Sequence, residues 1–77
     1  MNEHYDPHAH YDLLDQEDIK VGEVRQGRYY EGTWEAGQIE GDVFHYNGQP
    51  AGTRDGMTIT RDDPPGGLTV FRLVRQA

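Results

Sequence analysis

Three histidines and two aspartates alternate near the start of the chain: His4, Asp6, His8, His10 and Asp12. Imidazole nitrogens and carboxylate oxygens are suitable ligands for zinc, nickel or copper, so His4, His8 and His10 form the candidate metal set. His4 and His8 stand four apart, which places both on one face of a helix, whereas His8 and His10 point the same way from an extended segment. The spacing matches no specific metal motif, and no cofactor is expected. A solvated acidic segment accounts for the same residues. Its imidazoles would gain charge as the pH falls through about 6.5, which implies a pH-dependent interaction.

Other chemistry has little support. The chain contains neither Cys nor Ser, and no glycine loop with a following Lys is present to cradle a phosphate. The acidic pairs Glu17/Asp18 and Asp62/Asp63 sit beside turn or tail residues, where solvation is the ordinary explanation. An enzyme is not expected.

The net charge is -7, and it is unevenly placed. Residues 1–18 carry six acids and no Lys or Arg, whereas residues 19–77 carry seven cations against eight anions. The acidity therefore belongs to the N-terminal segment, with Asp12, Asp15, Glu17 and Asp18 as its candidate partner-binding residues. An acidic chain lacks the basic surface that binding to phosphate backbones or anionic membranes requires. The expected partner is another protein with a basic surface. Direct contact with nucleic acid or membrane is not expected.

Seventy-seven residues make one domain with a thin core. Mean hydropathy is -0.94, yet the apolar residues cluster in runs of strand length. Without cysteine there is neither a disulfide framework nor a thiolate zinc site. The N-terminus lacks the basic and apolar regions of a secretory signal, and no run approaches the roughly 20 apolar residues that span a bilayer. These features lead to the expectation of a cytoplasmic protein.

The elements divide the chain into an extension, residues 1–18, and a small β domain, residues 19–77. Asp6 followed by Pro7 is a helix-start pattern, so the extension is either disordered or a short helix from Pro7 to about Glu17. That helix would gather His10, Leu13 and Leu14 on one face. Ile19 to Arg25 reads as a strand with a bulge at Gly22, followed by a tight link at Gln26 and Gly27. In the stretch Arg28 to Tyr46, a turn at Ala36 and Gly37 would set Trp34 opposite Ile39, Gly32 opposite Gly41 and Tyr30 opposite Val43 on a core-facing wall. The other face, with Tyr29 opposite Phe44 and Glu31 opposite Asp42, would be open to solvent. Tyr29, Glu31 and Phe44 thereby join the partner-binding set.

Asn47 and Gly48 form a strong turn signal. Residues 49–56 are expected as an exposed loop ending in a turn at Asp55 and Gly56. Met57 to Arg61 reads as a strand, the run DDPPGG as a breaker, and Leu68 to Arg75 as a central strand with large apolar groups on both faces. About five short antiparallel strands fit a mainly β fold: a small sheet or half-open barrel of the SH3-like or OB-like type. A flat sheet covered by the N-terminal helix is the alternative.

Tyr30, Glu31, Gly32, Trp34, Gly37, Gly41, Tyr46 and Gly48 also carry a likeness. Residues 30–48 resemble one unit of the MORN repeat, an aromatic-Glu-Gly-x-Trp hairpin followed by spaced glycines and a second aromatic-Gly. This chain has a single copy, with its second half one residue shorter than the usual spacing. The resemblance implies a β-hairpin and carries over no membrane or scaffold role.

Two functions are compatible with these features. One is a small acidic interaction module, an inhibitor or adaptor of the kind mobile elements encode, which docks on a basic partner surface. The other is a structural or assembly subunit of virion type, self-associating through exposed strand edges.

Overall fold

The computed structural model describes residues 4–63 and 67–76. They form eight antiparallel strands in sequence order: β1 His10–Leu14, β2 Lys20–Arg25, β3 Arg28–Glu31, β4 Trp34–Glu40, β5 Val43–Tyr46, β6 Gln49–Asp55, β7 Thr58–Asp63 and β8 Gly67–Arg75. Each strand pairs with the next, and β1 pairs with β8, so the sheet closes into a barrel. The mainly β expectation holds, but the barrel is fully closed and has more strands than the five expected. No helix occurs among the described residues, so none is long and apolar enough to cross a membrane.

Two of the three extra strands come from segments whose patterning reads as irregular, and the third from the stretch Arg28 to Tyr46, which forms three strands where a hairpin has two. The first lies in the N-terminal extension, where residues 10–14 are an inner strand with Tyr11 opposite both Val24 and Arg75. Tyr11 and Leu13 alternate inward and are buried, a period-2 pattern that the helical reading of His10, Leu13 and Leu14 obscured. The Asp6-Pro7 signal produces only one turn. Asp6 Oδ1 accepts from the His8 N–H at 2.8 Å, and the Asp6 carbonyl accepts from the Ala9 N–H at 3.1 Å. The boundary at residue 18 therefore separates no tail from the β domain. The second segment is residues 49–55, expected as a loop, which form β6 between β5 and β7. Its small side chains suit a strand whose inward Gly52 meets the backbone of Thr60.

The expected central hairpin is instead a three-stranded meander that reverses at Gly32-Thr33 and again at Gly41-Asp42. Glu31 pairs with Trp34 across Gly32 and Thr33, and β4 runs straight through Ala36 and Gly37 with a bulge at Ala36. Moving the turn shifts the register, and a shift in register changes which residues face each other and which enter the core. Tyr29 and Phe44 are thereby core residues, 2% and 1% exposed, instead of an open face. Trp34, expected in the core, is 52% exposed. The turns at Gln26-Gly27 and Asn47-Gly48 stand as expected. Both residues of each have positive φ, the type I′ geometry that Asn-Gly favours. The expected turn at Asp55-Gly56 lies one residue further on, at Gly56-Met57. Residues 64–66 of the DDPPGG breaker lie outside the described residues.

The interior is filled by Tyr11, Leu13, Val24, Tyr29, Ile39, Phe44, Ile59 and Leu73. An eight-stranded barrel has an interior just wide enough for such side chains. One close approach organises this core. The Tyr29 ring lies across Gly22, where an added Cβ would come within 2.6 Å of Tyr29 Cε1 and 2.5 Å of the Tyr30 carbonyl oxygen. The residue bulged out beside it is Val21, which lies between the pairs Leu13 with Gly22 and Leu14 with Lys20.

The two barrel ends differ. The lower end carries the turns after β2, β4 and β6, and residues 4–9 close it. Tyr5 stacks on Tyr11 at 5.4 Å, and the Arg54 guanidinium sits 4.4 Å from the Tyr5 ring centroid. Arg54 also donates to the carbonyls of Gly41 and Gly56 and pairs with Asp42 at 3.0 Å, tying two of the lower turns to Tyr5. The upper end carries the turns after β1, β3 and β5.

Because the space over Gly22 is taken by an aromatic ring and a backbone oxygen, Gly22→Ala should overpack the core. Losses from overpacking are about 1–3 kcal/mol, and each kcal/mol lowers Tm by about 4–8 °C in a domain of this size. Thermal unfolding followed by circular dichroism checks this, and an unchanged Tm would show that Tyr29 is free to move aside.

Candidate functional site

The upper end is where exposed apolar groups gather. Ile19 is 58% exposed and Leu68 66%, and Val21, Trp34 and Val70 join them among the exposed large hydrophobic residues. Ile19 immediately precedes β2, Val21 is the bulged residue of β2, and Trp34 is the first residue of β4. Leu68 and Val70 lie on the part of β8 that runs beyond the end of β1, since Leu14 pairs with Arg72. Among these residues, Val43 at the lower end is the outlier.

Trp34 is held from within. Its ring meets Tyr46 edge-on at 6.3 Å, and the Arg61 guanidinium covers Tyr46 at 4.1 Å. Beneath them, Glu31 accepts hydrogen bonds from the Tyr29 hydroxyl at 3.0 Å and the Tyr46 hydroxyl at 3.2 Å. Burial, reinforced by the Glu31 carboxylate, pushes the Tyr29 phenol well above its ordinary range, so it remains a donor. This polar layer fixes the floor on which Trp34 rests. From Trp34 a shallow groove of about 430 Å³ runs down the outer wall past Glu35, Gln38, Glu40, His45 and Asn47. There His45 Nε2 lies 3.1 Å from Glu40 Oε1.

The loop joining β1 to β2 supplies carboxylates at the same end. Asp15 Oδ1 accepts from the N–H groups of Glu17 and Ile19, at 2.8 and 2.9 Å, which is why this acidic loop has a defined shape. Asp18 pairs with Arg72, and Glu17 is exposed. Of the residues singled out from sequence, Asp15, Glu17 and Asp18 thus share the upper end with the exposed apolar groups. Glu31 is committed to the two tyrosines inside the mouth. Asp12 lies on the barrel wall, where Gln76 Nε2 at 2.7 Å and Lys20 Nζ at 3.1 Å engage its carboxylate. The Gln76 hydrogen bond, then Lys20, hold that carboxyl below the usual carboxylate range.

Tyr29 and Phe44 are corrected from partner contacts to core, where their rings meet edge to face at 5.5 Å. A partner cannot reach them. The metal set is not assembled either: among the described residues no group of three or more His, Asp or Glu could hold an ion. His8 lies in the turn before β1, and His10 opens that strand.

Sequence reasoning missed Ile19, Val21, Trp34, Leu68 and Val70 as surface groups. The signal was present in β8, whose apolar residues occupy both parities. Such a pattern fits a strand covered on both sides or one that crosses a barrel corner; here Phe71 and Leu73 point inward while Leu68 and Val70 face solvent. No protein-family model, curated protein or solved structure matches this chain.

The Asp12 contacts set a pH dependence. A carboxyl whose folded pKa is depressed contributes stability above its unfolded value, and that contribution is lost as the pH falls through the folded value. Asp12→Asn should therefore be less stable than the parent at neutral pH, with the gap closing below about pH 4. Urea denaturation at neutral and acid pH measures it, and a gap independent of pH would show that Asp12 contributes through shape alone.

Proposed function

We propose that this protein is a small acidic interaction module which docks on a basic, partly apolar surface of another protein through its upper end, as an inhibitor or adaptor. The observation that carries the reading is Trp34, half exposed yet braced by Tyr46, at the head of a groove flanked by Glu35 and Glu40. A rigid aromatic side chain with a buried edge is the kind of group that dominates binding energy in protein interfaces. Carboxylates around such an anchor steer a cationic partner toward it and raise the association rate. Asp15, Glu17 and Asp18 add to that field from the same end. The net charge of -7 also favours a basic protein partner over nucleic acid or an anionic membrane. The lack of cysteine is compatible with a reducing cytoplasmic setting.

Removal of residues 1–18 cannot test the docking, because it deletes β1 from the barrel. Trp34→Ala is the appropriate variant, since the lost side chain is half in solvent. Capture of partners from a lysate on parent and variant, followed by affinity measurement on the protein retained, should show a loss of about 2 kcal/mol or more, roughly 30-fold. Charge reversal at Glu17 should mainly slow association and flatten its salt dependence. Retention of the same partner at equal affinity by Trp34→Ala would refute this docking surface.

A second reading, assembly through a strand edge, has its own observation. Residues 67–71 of β8 pair only with β7 among the described strands, because β1 ends opposite Arg72. The Gln76 N–H reaches His10 and the Leu73 N–H reaches Met57, so even-numbered residues of β8 direct their backbone groups to the β1 side. Leu68 and Val70 thereby form a short open edge with apolar side chains, a template for strand addition. Sedimentation analysis over a concentration series should then show self-association that Val70→Pro abolishes, as proline removes the edge N–H and leaves the β7 ladder in place. A monomer at all concentrations excludes this reading.

A further inference from the structure

The register aligns one row of basic side chains across the barrel wall. His10 stands directly opposite Arg25, Arg25 opposite Arg28, and Arg28 opposite Gln38, on β1, β2, β3 and β4 in turn. Opposed residues on neighbouring strands have Cβ atoms about 4.5–5.5 Å apart, and like charges so placed repel. On a chain with twice as many acids as Lys and Arg, 14 against 7, such a row is out of character. His8, in the turn before β1, reaches the same place. His8, His10, Arg25, Gln26, Arg28 and Tyr30 line a groove of about 830 Å³.

The groups are ordered but not saturated. Arg25 lies with its guanidinium carbon 4.4 Å from the Tyr30 ring centroid, which sets its direction. Its Nε is buried and makes no hydrogen bond, although Glu23 Oε1 is 3.3 Å away. Glu23 is drawn more closely to Lys20 Nζ, at 2.6 Å. Arg28 makes a long contact with Glu35, at 3.8 Å, and its side chain is 63% exposed. An exposed pair at that distance is weak and readily exchanged for a better acceptor. Around the groove, β1 contributes Asp12, which is occupied by Lys20 and Gln76. The N-terminal turn contributes Asp6, whose Oδ1 accepts the His8 N–H and whose Oδ2 lies 3.8 Å from Arg75. Asp6, Asp12 and Glu23 are thus engaged, in whole or in part, with other groups, while Glu35 keeps its long contact with Arg28.

We propose that this face is an oxyanion site, in which Arg25 and Arg28, flanked by His8 and His10, take a small molecule bearing two or more phosphate or carboxylate groups. Guanidinium forks match the planar or tetrahedral oxygens of both groups. The imidazole N–H groups add hydrogen-bond donors at the rim of the groove. A nucleic acid is the poorer occupant, because its long phosphate backbone would extend from this groove onto acidic wall. The site lies on the outer face of β1 to β3 and is independent of Trp34, so its failure would leave the docking proposal standing.

The test is an amide-detected NMR titration of the intact chain with pyrophosphate and, separately, citrate, with chloride at matched ionic strength as control. Saturable shifts centred on His10, Arg25, Arg28 and Tyr30, and absent with chloride, are expected. Saturation by pyrophosphate alone assigns a phosphate ligand, and saturation by citrate alone assigns a carboxylate ligand. Arg28→Gln, an exposed position whose loss leaves the core intact, should weaken binding by about tenfold or more. Shifts that never saturate, that chloride reproduces, or that persist unchanged in Arg28→Gln overturn the proposal. So does tighter binding of a single-stranded oligonucleotide than of either small anion.

Discussion

Everything in this molecule rests on the pairing of β1 with β8. A meander of seven hairpin-connected strands and an eighth would otherwise be a twisted sheet with two raw edges, Tyr11 and Leu13 at one and Leu73 at the other. Zipping these edges together satisfies both rows of backbone groups over the length of β1 and encloses the apolar side chains on all sides. The closing contacts are among the longest in the chain, as the Gln76 to Asp12 hydrogen bond spans 64 residues. Closure of so long a loop costs more chain entropy than any of the sequential hairpins, which pair strands adjacent in the chain.

Closure also explains how so little apolar material suffices. A narrow barrel needs only one inward residue in two from each strand, and aromatic rings fill the space with few side chains. Tyr29 does this in two ways: its ring covers Gly22 and its hydroxyl reaches Glu31, linking the apolar middle to the polar mouth. At the opposite end, Tyr5 and Arg54 form the stopper. One end is therefore closed by the chain itself, and the other is left with its apolar residues in solvent.

That asymmetry gives the surface its meaning. Exposed aliphatic residues are ordinary when scattered, but here most of the large ones lie at a single end beside an acidic loop and a supported tryptophan. The overhang of β8 belongs to the same end, so docking and strand addition would compete for neighbouring surface. The basic row lies on the wall below, where β1, β2 and β3 align their charges by register.

Local signals in the sequence determined the β class, the type I′ turns at Gln26-Gly27 and Asn47-Gly48, and the acidity of the loop around Asp15, because each depends on a few adjacent residues. The single turn at Asp6-Pro7 is equally local, and it starts no helix because a cap signal says where a helix can begin and not how far it runs. Gly32 and Gly41, which carry the likeness to the MORN repeat, open two of the turns, yet nothing local distinguished Gly32-Thr33 from Ala36-Gly37 as the site of reversal. That choice set the register, sent Tyr29 and Phe44 into the core and left Trp34 in solvent. Only the tertiary structure decided it, together with the strand identity of residues 10–14 and 49–55, since those segments are strands by virtue of the neighbours that pair with them. Side-chain pattern alone is silent on a partner more than sixty residues away.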